Sequence, residues 1–259
     1  MTEQLAKSEP DTKEPTISAY IQCYSNQRAL YEALKGFRTF YPTEDITLVS
    51  DAGDDFTRFA EHFDLHYYWS QNKAAPHGLG EDGAREYLKR LYDHCCRVSS
   101  DYVFILEEDV TTRRRIRRFP TTDCAGPRPN RYADRMNRYL QQLNGTAEDY
   151  IYVMCGGSIF DRRVYMDCYE KQNVDLDLLS SLDERVLIYG DVLHTTVFLI
   201  NGYSSGVWEE VSETKHRHKS FRIFRDAAFD HADKTWYGVE FDDSVFDQKP
   251  DWSARRGRA

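Results

Sequence analysis

The segment Tyr102–Val110 reads YVFILEEDV, and its pattern decides how the rest of the chain is interpreted. The first five residues form a continuous apolar run, which is typical of a central parallel strand buried on both faces. Three carboxylates follow without a break. Because burying them together would cost too much free energy, they must lie at the carboxyl end of the strand, facing solvent or a cation. That end of an α/β sheet is where ligands bind.

Strand and helix patterns alternate on the amino-terminal side of this segment. Apolar, β-branched runs predict strands, and apolar residues at helical spacing predict helices between them. The predicted elements are, in order, Ile17–Cys23, Gln27–Phe40, Ile46–Ser50, Phe56–Phe63, Leu65–Trp69 and Asp82–Cys96. This order predicts an α/β fold with a central, mostly parallel, Rossmann-like sheet flanked by helices.

The second half of the chain is less regular. Its predicted elements are a strand at Tyr150–Met154 and helices near Tyr132–Leu143, Arg163–Gln172 and Gly190–Asn201. We expect residues 1–15 to be a disordered lead and 16–259 to form one domain. Within that domain we expect a nucleotide-type half at 16–110 and a mixed half with a tail at 111–259.

Composition excludes several classes of protein. With 41% hydrophobic and 30% charged residues in 259, the chain is globular and not wholly disordered. Its net charge of -9 would repel nucleic acid, so we expect no nucleic-acid partner. No apolar run is long enough to span a bilayer. The polar amino terminus lacks the apolar core of a secretory signal, and the six cysteines form no CxxC pair. We therefore expect a cytoplasmic protein.

The three carboxylates have the spacing of a metal site. The two-residue period of a strand puts Glu107 and Asp109 on one side and Glu108 on the other. Carboxylates at this spacing can share a hard divalent ion whose open positions suit a diphosphate. The alternative is a solvated acidic turn after a strand.

Several short motifs, in this order, resemble those of GT-A glycosyltransferases, in particular family-2-like enzymes. Besides the acidic strand end, they are Ser50–Gly53 (SDAG), Gly83–Arg85 (GAR), Cys155–Phe160 (CGGSIF) and Gly190–Leu193 (GDVL). The resemblance spans roughly residues 17–220. It implies a GT-A fold and transfer of a sugar from a UDP- or GDP-sugar, with Mn²⁺ or Mg²⁺. The family's DxD motif reads Glu-Glu-Asp here, so metal binding by Asp109 is better supported than by Glu107.

The same resemblance implies roles for residues of the donor side. Asp109 would hold the metal, and Glu107 and Glu108 would adjoin the donor. Arg85 would reach the diphosphate, since a guanidinium fork fits phosphate oxygens, although a surface salt bridge is an equal alternative. The residues expected to hold the nucleoside are Tyr24, Ser25, Asn26 and Asp51.

On the acceptor side, the resemblance implies a glycan or glycosylated acceptor. It would contact Gly156, Gly157 and Asp161. Asp191 would be the general base of an inverting transfer; the alternative is that it caps the helix it opens. A carboxyl-terminal histidine often completes the metal site in this family, which points to His216 and His218, although a solvated basic stretch explains them too.

Other functions fit parts of the sequence. A sugar-phosphate nucleotidyltransferase shares the fold type, but the loop after the first strand, Tyr24–Arg28, lacks glycine. The segment Arg113–Arg118 (RRRIRR) could contact nucleic-acid phosphates or form a loop beside the donor site. We expect this segment to be poorly ordered without ligand because its like charges repel. A non-catalytic binding protein on the same scaffold is a further alternative.

Overall fold

The computed structural model describes residues 14–74, 80–127, 129–153, 156–213, 224–231 and 234–247, with Pro250 and Trp252. Nearly all of the expected lead, residues 1–15, lies outside this described part. The strands are β1 (Ile17–Cys23), β2 (Ile46–Asp51), β3 (His66–Ser70), β4 (Tyr102–Ile105), β5 (Thr111–Thr112), β6 (Cys124–Gly126), β7 (Asn130–Arg131), β8 (Ile151–Tyr152), β9 (Ile159–Asp161), β10 (Ser205–Val207), β11 (Val211–Glu213) and β12 (Phe229–His231). The helices are α1 (Gln27–Phe40), α2 (Thr57–Phe63), α3 (Gly80–Arg97), α4 (Asp134–Asn144), α5 (Arg162–Glu170), α6 (Leu176–Leu182) and α7 (Gly190–Ile200).

A seven-stranded sheet in the order β10-β6-β9-β4-β1-β2-β3 forms the centre of the molecule. Strands β1 to β4 are parallel to one another where they pair, and β10 is parallel to β6. Strand β9 runs antiparallel to both its neighbours, β4 and β6. This mostly parallel sheet flanked by helices confirms the α/β prediction. Strands from both halves of the chain share the sheet; the division at residue 110 stays a prediction.

Strand β4 is buried on both faces, as its apolar run predicted. Val103 and Ile105 belong to a core cluster with residues of α3, α5 and α7. Phe104, and Leu106 just after the strand, belong to a second cluster with residues of α1 and α2. Each such side chain contributes roughly 1.5–3 kcal/mol by its burial. The two helical layers therefore fix the strand, and with it the position of the carboxylates that follow.

Three short strands of the second half that were not predicted, β5, β11 and β12, matter for the site. Strand β12 pairs in parallel with β11 and antiparallel with β5, forming a separate three-stranded sheet. Since β5 begins two residues after Asp109, this pairing brings the end of β12 close to the carboxylates. The strand predicted at Tyr150–Met154 is reduced to β8, which pairs with β7 outside the main sheet.

The arginine-rich loop is held by carboxylates. Ile116 is buried and its backbone N–H donates to the Tyr41 hydroxyl at 2.6 Å. The ion pairs of the loop are Arg113 with Asp230, Arg114 with Glu210, Arg115 with Glu44 and Arg117 with Asp226. Carboxylates from distant parts of the chain therefore offset the repulsion between these arginines, and the order of the loop without ligand stays a prediction.

The carboxyl-terminal segment packs on the outer face of α1 and α2. The Trp252 indole N–H donates to the carbonyl of His62 at 2.9 Å, and its ring stacks on Phe63. Phe241 and Phe246 pack on Phe59 with ring centroids 5.3 and 4.9 Å away. These contacts hold the segment that begins with Lys234 against α2. None of the helices within the described ranges combines the length and hydropathy of a bilayer span.

Candidate metal centre

The three carboxylates form a tight turn at the end of β4. The backbone N–H of Leu106 donates to Tyr20, which continues the pairing with β1, and the N–H of Val110 then donates to the carbonyl of Glu107 at 3.0 Å. The turn buries Asp109 to 4% exposure and leaves Glu107 more open, with 29% of its side chain exposed. Its side chains divide as the two-residue period predicted, since Glu107 and Asp109 converge while Glu108 contacts other residues.

His231 at the end of β12 completes a group of candidate metal ligands. Its Nε2 lies 3.4 Å from Glu107 Oε2 and 3.4 Å from Asp109 Oδ1. One ligand atom from each residue lies within 4.8 Å of the other two, which is close enough to surround one cation. Asp109 Oδ1 is buried without a hydrogen bond inside the described part of the chain. A buried carboxylate oxygen of this kind fits a metal ligand, so the residues suit a divalent cation.

Glu213 fixes the orientation of the histidine ring. Its carboxylate is fully buried and contacts His231 Nδ1. With that nitrogen engaged, Nε2 is the atom left to face Glu107 and Asp109. A carboxylate behind a histidine in this way sets the tautomer and the ring orientation of metal-binding histidines.

The electrostatics show how the centre is balanced by protein charges alone. Burial lowers the pKa of His231, but its contacts with Asp109, Glu107 and Glu213 outweigh burial and raise the pKa well above the usual value. Burial raises the pKa of Asp109, but His231 and Lys234 outweigh it and hold the pKa below the usual value. The imidazolium of His231 and the ammonium of Lys234 therefore offset the negative charge of the carboxylates, as a bound cation would.

Lys234 and Tyr237 reach the centre from the carboxyl-terminal segment. Lys234 Nζ lies 2.8 Å from Asp109 Oδ2 and is about half exposed. The Tyr237 hydroxyl donates to Glu108 Oε1 at 3.0 Å, and Asn26 Nδ2 donates to the same oxygen at 3.3 Å. Burial, with the charge of Glu107, raises the pKa of Glu108 to about 7. Asn26, expected on the donor side, thus contacts the acidic turn directly.

Gly156 and Gly157 lie against this centre. A Cβ on Gly156 would come within 2.1 Å of His231 Nε2 and 2.7 Å of Glu107 Oε2. Gly157 has a φ of 77°, and a Cβ there would meet Val211 at 2.6 Å. Gly156 therefore leaves room for the candidate ligand atoms and Gly157 for Val211, and the contact of both glycines with an acceptor stays a prediction.

Sequence reasoning missed His231, Glu213, Lys234 and Tyr237. One signal was present, because the apolar run Ala227–Phe229 leads directly into Asp230 and His231, as the apolar run of β4 leads into its carboxylates. The predicted ligands His216 and His218 lie outside the described residues, so their role stays a prediction.

The other donor-side residues lie near the carboxyl ends of the parallel strands or on α3. Tyr24 is half exposed after β1, followed by Ser25. Asp51 is buried at the end of β2, where Arg90 Nη1 at 2.8 Å and the backbone N–H of Ala74 at 2.6 Å donate to its Oδ1. Its Oδ2 has no hydrogen bond from any described residue. Arg85 forms the surface salt bridge that was its alternative, 2.6 Å from Glu81 on the exposed side of α3.

Asp161 and Asp191, the two aspartates predicted for the acceptor side and for catalysis, each lie at the start of a helix. Asp161 accepts from the N–H groups of Arg163 and Val164 at 2.8 and 3.0 Å, and so caps α5. Because β9 is antiparallel to β4 and Asp161 pairs with Tyr102, it lies at the opposite end of β4 from the acidic turn. Asp161 therefore lies away from the acidic turn, and its contact with an acceptor stays a prediction.

Asp191 is buried in the first turn of α7, next to Gly190, which packs on the ring of Tyr87. The residue at the N-cap position is Tyr189, so the alternative that Asp191 caps this helix was wrong. Its role as a base stays a prediction.

No family model matches the chain, and no curated protein matches it. Among solved structures, the apo form of the glycosyltransferase GlyE of Streptococcus pneumoniae TIGR4 matches 93% of this chain and 62% of its own, at 13% identity and a TM-score of 0.47. The mannosyltransferase PcManGT of Pyrobaculum calidifontis, in complex with GDP-Man and Mn²⁺, matches 76% of this chain and 55% of its own, at 13% identity and a TM-score of 0.43. The galactosyltransferase LgtC, in complex with donor and acceptor sugar analogs, matches 92% of this chain and 99% of its own, at 14% identity and a TM-score of 0.46.

All three matches are glycosyltransferases, the class that the sequence motifs resemble. The chain spans less than two thirds of the length of the first two.

Proposed function

We propose that the chain is a divalent-metal-dependent glycosyltransferase that moves a sugar from a nucleotide-diphosphate sugar to a hydroxyl acceptor. The observation that carries the proposal is the convergence of Glu107, Asp109 and His231 at the carboxyl end of β4, with Asp109 Oδ1 buried and not hydrogen-bonded among the described residues. Ligands of α/β proteins bind at this end of the sheet. Two carboxylates and one imidazole suit Mn²⁺ better than Mg²⁺, because Mg²⁺ prefers oxygen ligands.

A cation bound there would supply Lewis-acid stabilisation of the diphosphate leaving group. The chain's own residues would do the rest. Asp109 and Glu107 would hold the cation, and His231, kept in place by Glu213, would offer Nε2. Lys234, half exposed at the rim, would move its ammonium from Asp109 to a phosphate oxygen once the metal neutralises that carboxylate. The nucleoside would lie along β1 and β2, near Tyr24, Ser25, Asn26 and Asp51.

The test combines binding and transfer. Purified protein is screened by thermal shift with UDP- and GDP-sugars, with and without Mn²⁺, and then assayed for sugar transfer to hydroxyl acceptors. We expect stabilisation that needs both metal and nucleotide and is lost in Asp109→Asn. Asp93→Asn is the matched control, since Asp93 is exposed on α3 and pairs with Lys89.

The outcomes separate the alternatives. Stabilisation without transfer would favour a non-catalytic binding protein. Formation of a nucleotide sugar from a nucleoside triphosphate and a sugar phosphate would favour a nucleotidyltransferase. Equal stabilisation of Asp109→Asn and wild type would remove Asp109 from the site.

A further inference from the structure

A cavity of about 610 Å³ lies beside the arginine-rich loop, away from the candidate metal centre. We call it the arginine pocket; its wall consists of Arg114, Arg117–Thr121, Val207–Glu210 and Phe224–Asp226. Val207–Glu210 lead into β11 and Phe224–Asp226 lead towards β12. Glu213 and His231 lie at the other ends of these two strands. Three residues of strand separate the two ends, which is roughly 10 Å. The pocket is therefore a separate feature of the second half of the chain.

Glu210 holds the backbone of the arginine-rich loop in place at the wall of the pocket. This carboxylate is buried, and its Oε1 accepts from the backbone N–H groups of Arg117 and Arg118 at 3.2 and 3.0 Å. Its Oε2 lies 2.8 Å from Arg114 Nη1. The Trp208 indole N–H donates to the carbonyl of Arg118 at 2.8 Å. The loop backbone is thus held from inside while the arginine side chains line the cavity.

Some of the arginines that line the pocket are not paired with its carboxylates within the described residues. Arg114 and Arg117 share Asp226, at 3.6 and 2.7 Å, and Arg114 also pairs with Glu210. Within the described ranges, Arg118 and Arg225 form no ion pair. Both are exposed on the wall. Arg118 lies on the loop that Glu210 holds and Arg225 on the segment that leads into β12, and guanidinium groups of this kind suit the paired oxygens of a phosphate or carboxylate.

The remaining wall suits the body of such a ligand. Phe119 and Phe224 are half-buried, and Phe119 packs on Tyr102 with ring centroids 5.0 Å apart. Apolar rings can contact the carbon-bound hydrogens of a sugar, and the exposed carboxylate of Glu209 can accept from its hydroxyls. We propose that the arginine pocket binds an anionic sugar, either a sugar phosphate or a sugar acid, with its oxyanion on Arg118 and Arg225. This site needs no metal and does not depend on the function proposed above.

The experiment is isothermal titration calorimetry in EDTA at low ionic strength, with glucose 6-phosphate, glucuronate and neutral glucose as probes. We expect binding of an anionic probe but not of glucose, and the two anionic probes distinguish phosphate from carboxylate. In Arg118→Gln/Arg225→Gln the affinity should fall by about tenfold or more for each guanidinium lost. The control is Arg135→Gln/Arg138→Gln, which removes the same charge from exposed positions on α4. It should bind like wild type.

Several results would overturn the proposal. They are the absence of binding of both anionic probes by wild type, equal binding of glucose, and undiminished binding by the pocket variant. Asp109→Asn provides the last check, because it alters the metal centre and not the pocket. Binding that Asp109→Asn abolishes would place the ligand at the metal centre instead.

Discussion

The buried carboxylate of Glu213 contacts Nδ1 of His231, so that the opposite ring nitrogen faces Glu107 and Asp109. The geometry of the candidate metal centre thus depends on a residue that is not itself one of the three candidate ligands. Loss of such a supporting carboxylate typically weakens metal binding 10–100-fold.

We therefore expect Glu213→Gln to bind Mn²⁺ about 10–100-fold more weakly than wild type, measured by electron paramagnetic resonance of free Mn²⁺. Glutamine keeps an acceptor for Nδ1–H but not the charge. Glu209→Gln, at an exposed position four residues away, should not change Mn²⁺ affinity. Equal affinities of the two variants would argue against a supporting role for Glu213.

Lys234 should affect metal and nucleotide in opposite directions. Its ammonium competes with a cation for Asp109, so Lys234→Met should bind Mn²⁺ alone more tightly. The same variant should bind the Mn²⁺ complex of a nucleoside diphosphate about fivefold more weakly, the effect of a partly exposed charge worth about 1 kcal/mol. Calorimetry measures both, with Lys89→Met on α3 as control. A change of the same sign in both affinities would contradict this role.

Gly156 should not tolerate a side chain. A methyl group would overlap Nε2 of His231, so Gly156→Ala should displace the histidine and lose most Mn²⁺ binding. Gly36→Ala is a suitable control, since its nearest neighbour would be 3.6 Å away and alanine favours a helix. Mn²⁺ titration of both variants, with melting temperatures, would show whether the loss is specific. Normal binding by Gly156→Ala would show that the ring can move.

The stability of the metal-free protein should depend on pH through the protonation of Glu108. Its pKa rises to about 7 in the folded protein from an ordinary value near 4.5, so the folded state holds the proton more tightly. The resulting stabilisation is complete below pH of about 4.3 and disappears as pH rises through about 7. Glu108→Gln should therefore become more stable relative to wild type over that range, measured by urea unfolding in EDTA. A difference that does not vary with pH would contradict the shift.

Asp191 remains a candidate for the general base of an inverting transfer. A base contributes about 10²–10⁴-fold, so Asp191→Asn should lower kcat by that factor while donor Kd barely changes. The configuration of the product, read by NMR, tests inversion separately. Wild-type turnover in the variant, or a retained configuration, would end the assignment.

The part of the candidate site that directly follows β4 could be predicted from the sequence. The apolar run of β4 and the carboxylates after it are adjacent in the chain, and burial on both faces determines where they must lie. His231 could not be predicted in this way, since β12 has only three residues and its place depends on pairing with β5 and β11. A pattern of three residues is too short to indicate its partner strands.

The place of Asp161 could not be predicted for a related reason. The Gly-Gly-Ser segment before it does not indicate the direction of the strand that follows, and β9 runs antiparallel to β4. Reversing a strand exchanges the ends of the sheet at which its first and last residues lie. Strand direction is set by the tertiary pairing, and the residue pattern of β9 does not indicate it.

The pairing of β5 with β12 also has a consequence for biosynthesis. Lys234 follows Asp109 by 125 residues, and at about 5–20 residues per second a ribosome needs roughly 6–25 s to add them. For that time the nascent chain carries three adjacent carboxylates without the histidine and the lysine that balance them in the finished fold. Until then, the charge of the acidic turn is offset without these two residues, by ions from the surroundings and by other parts of the chain.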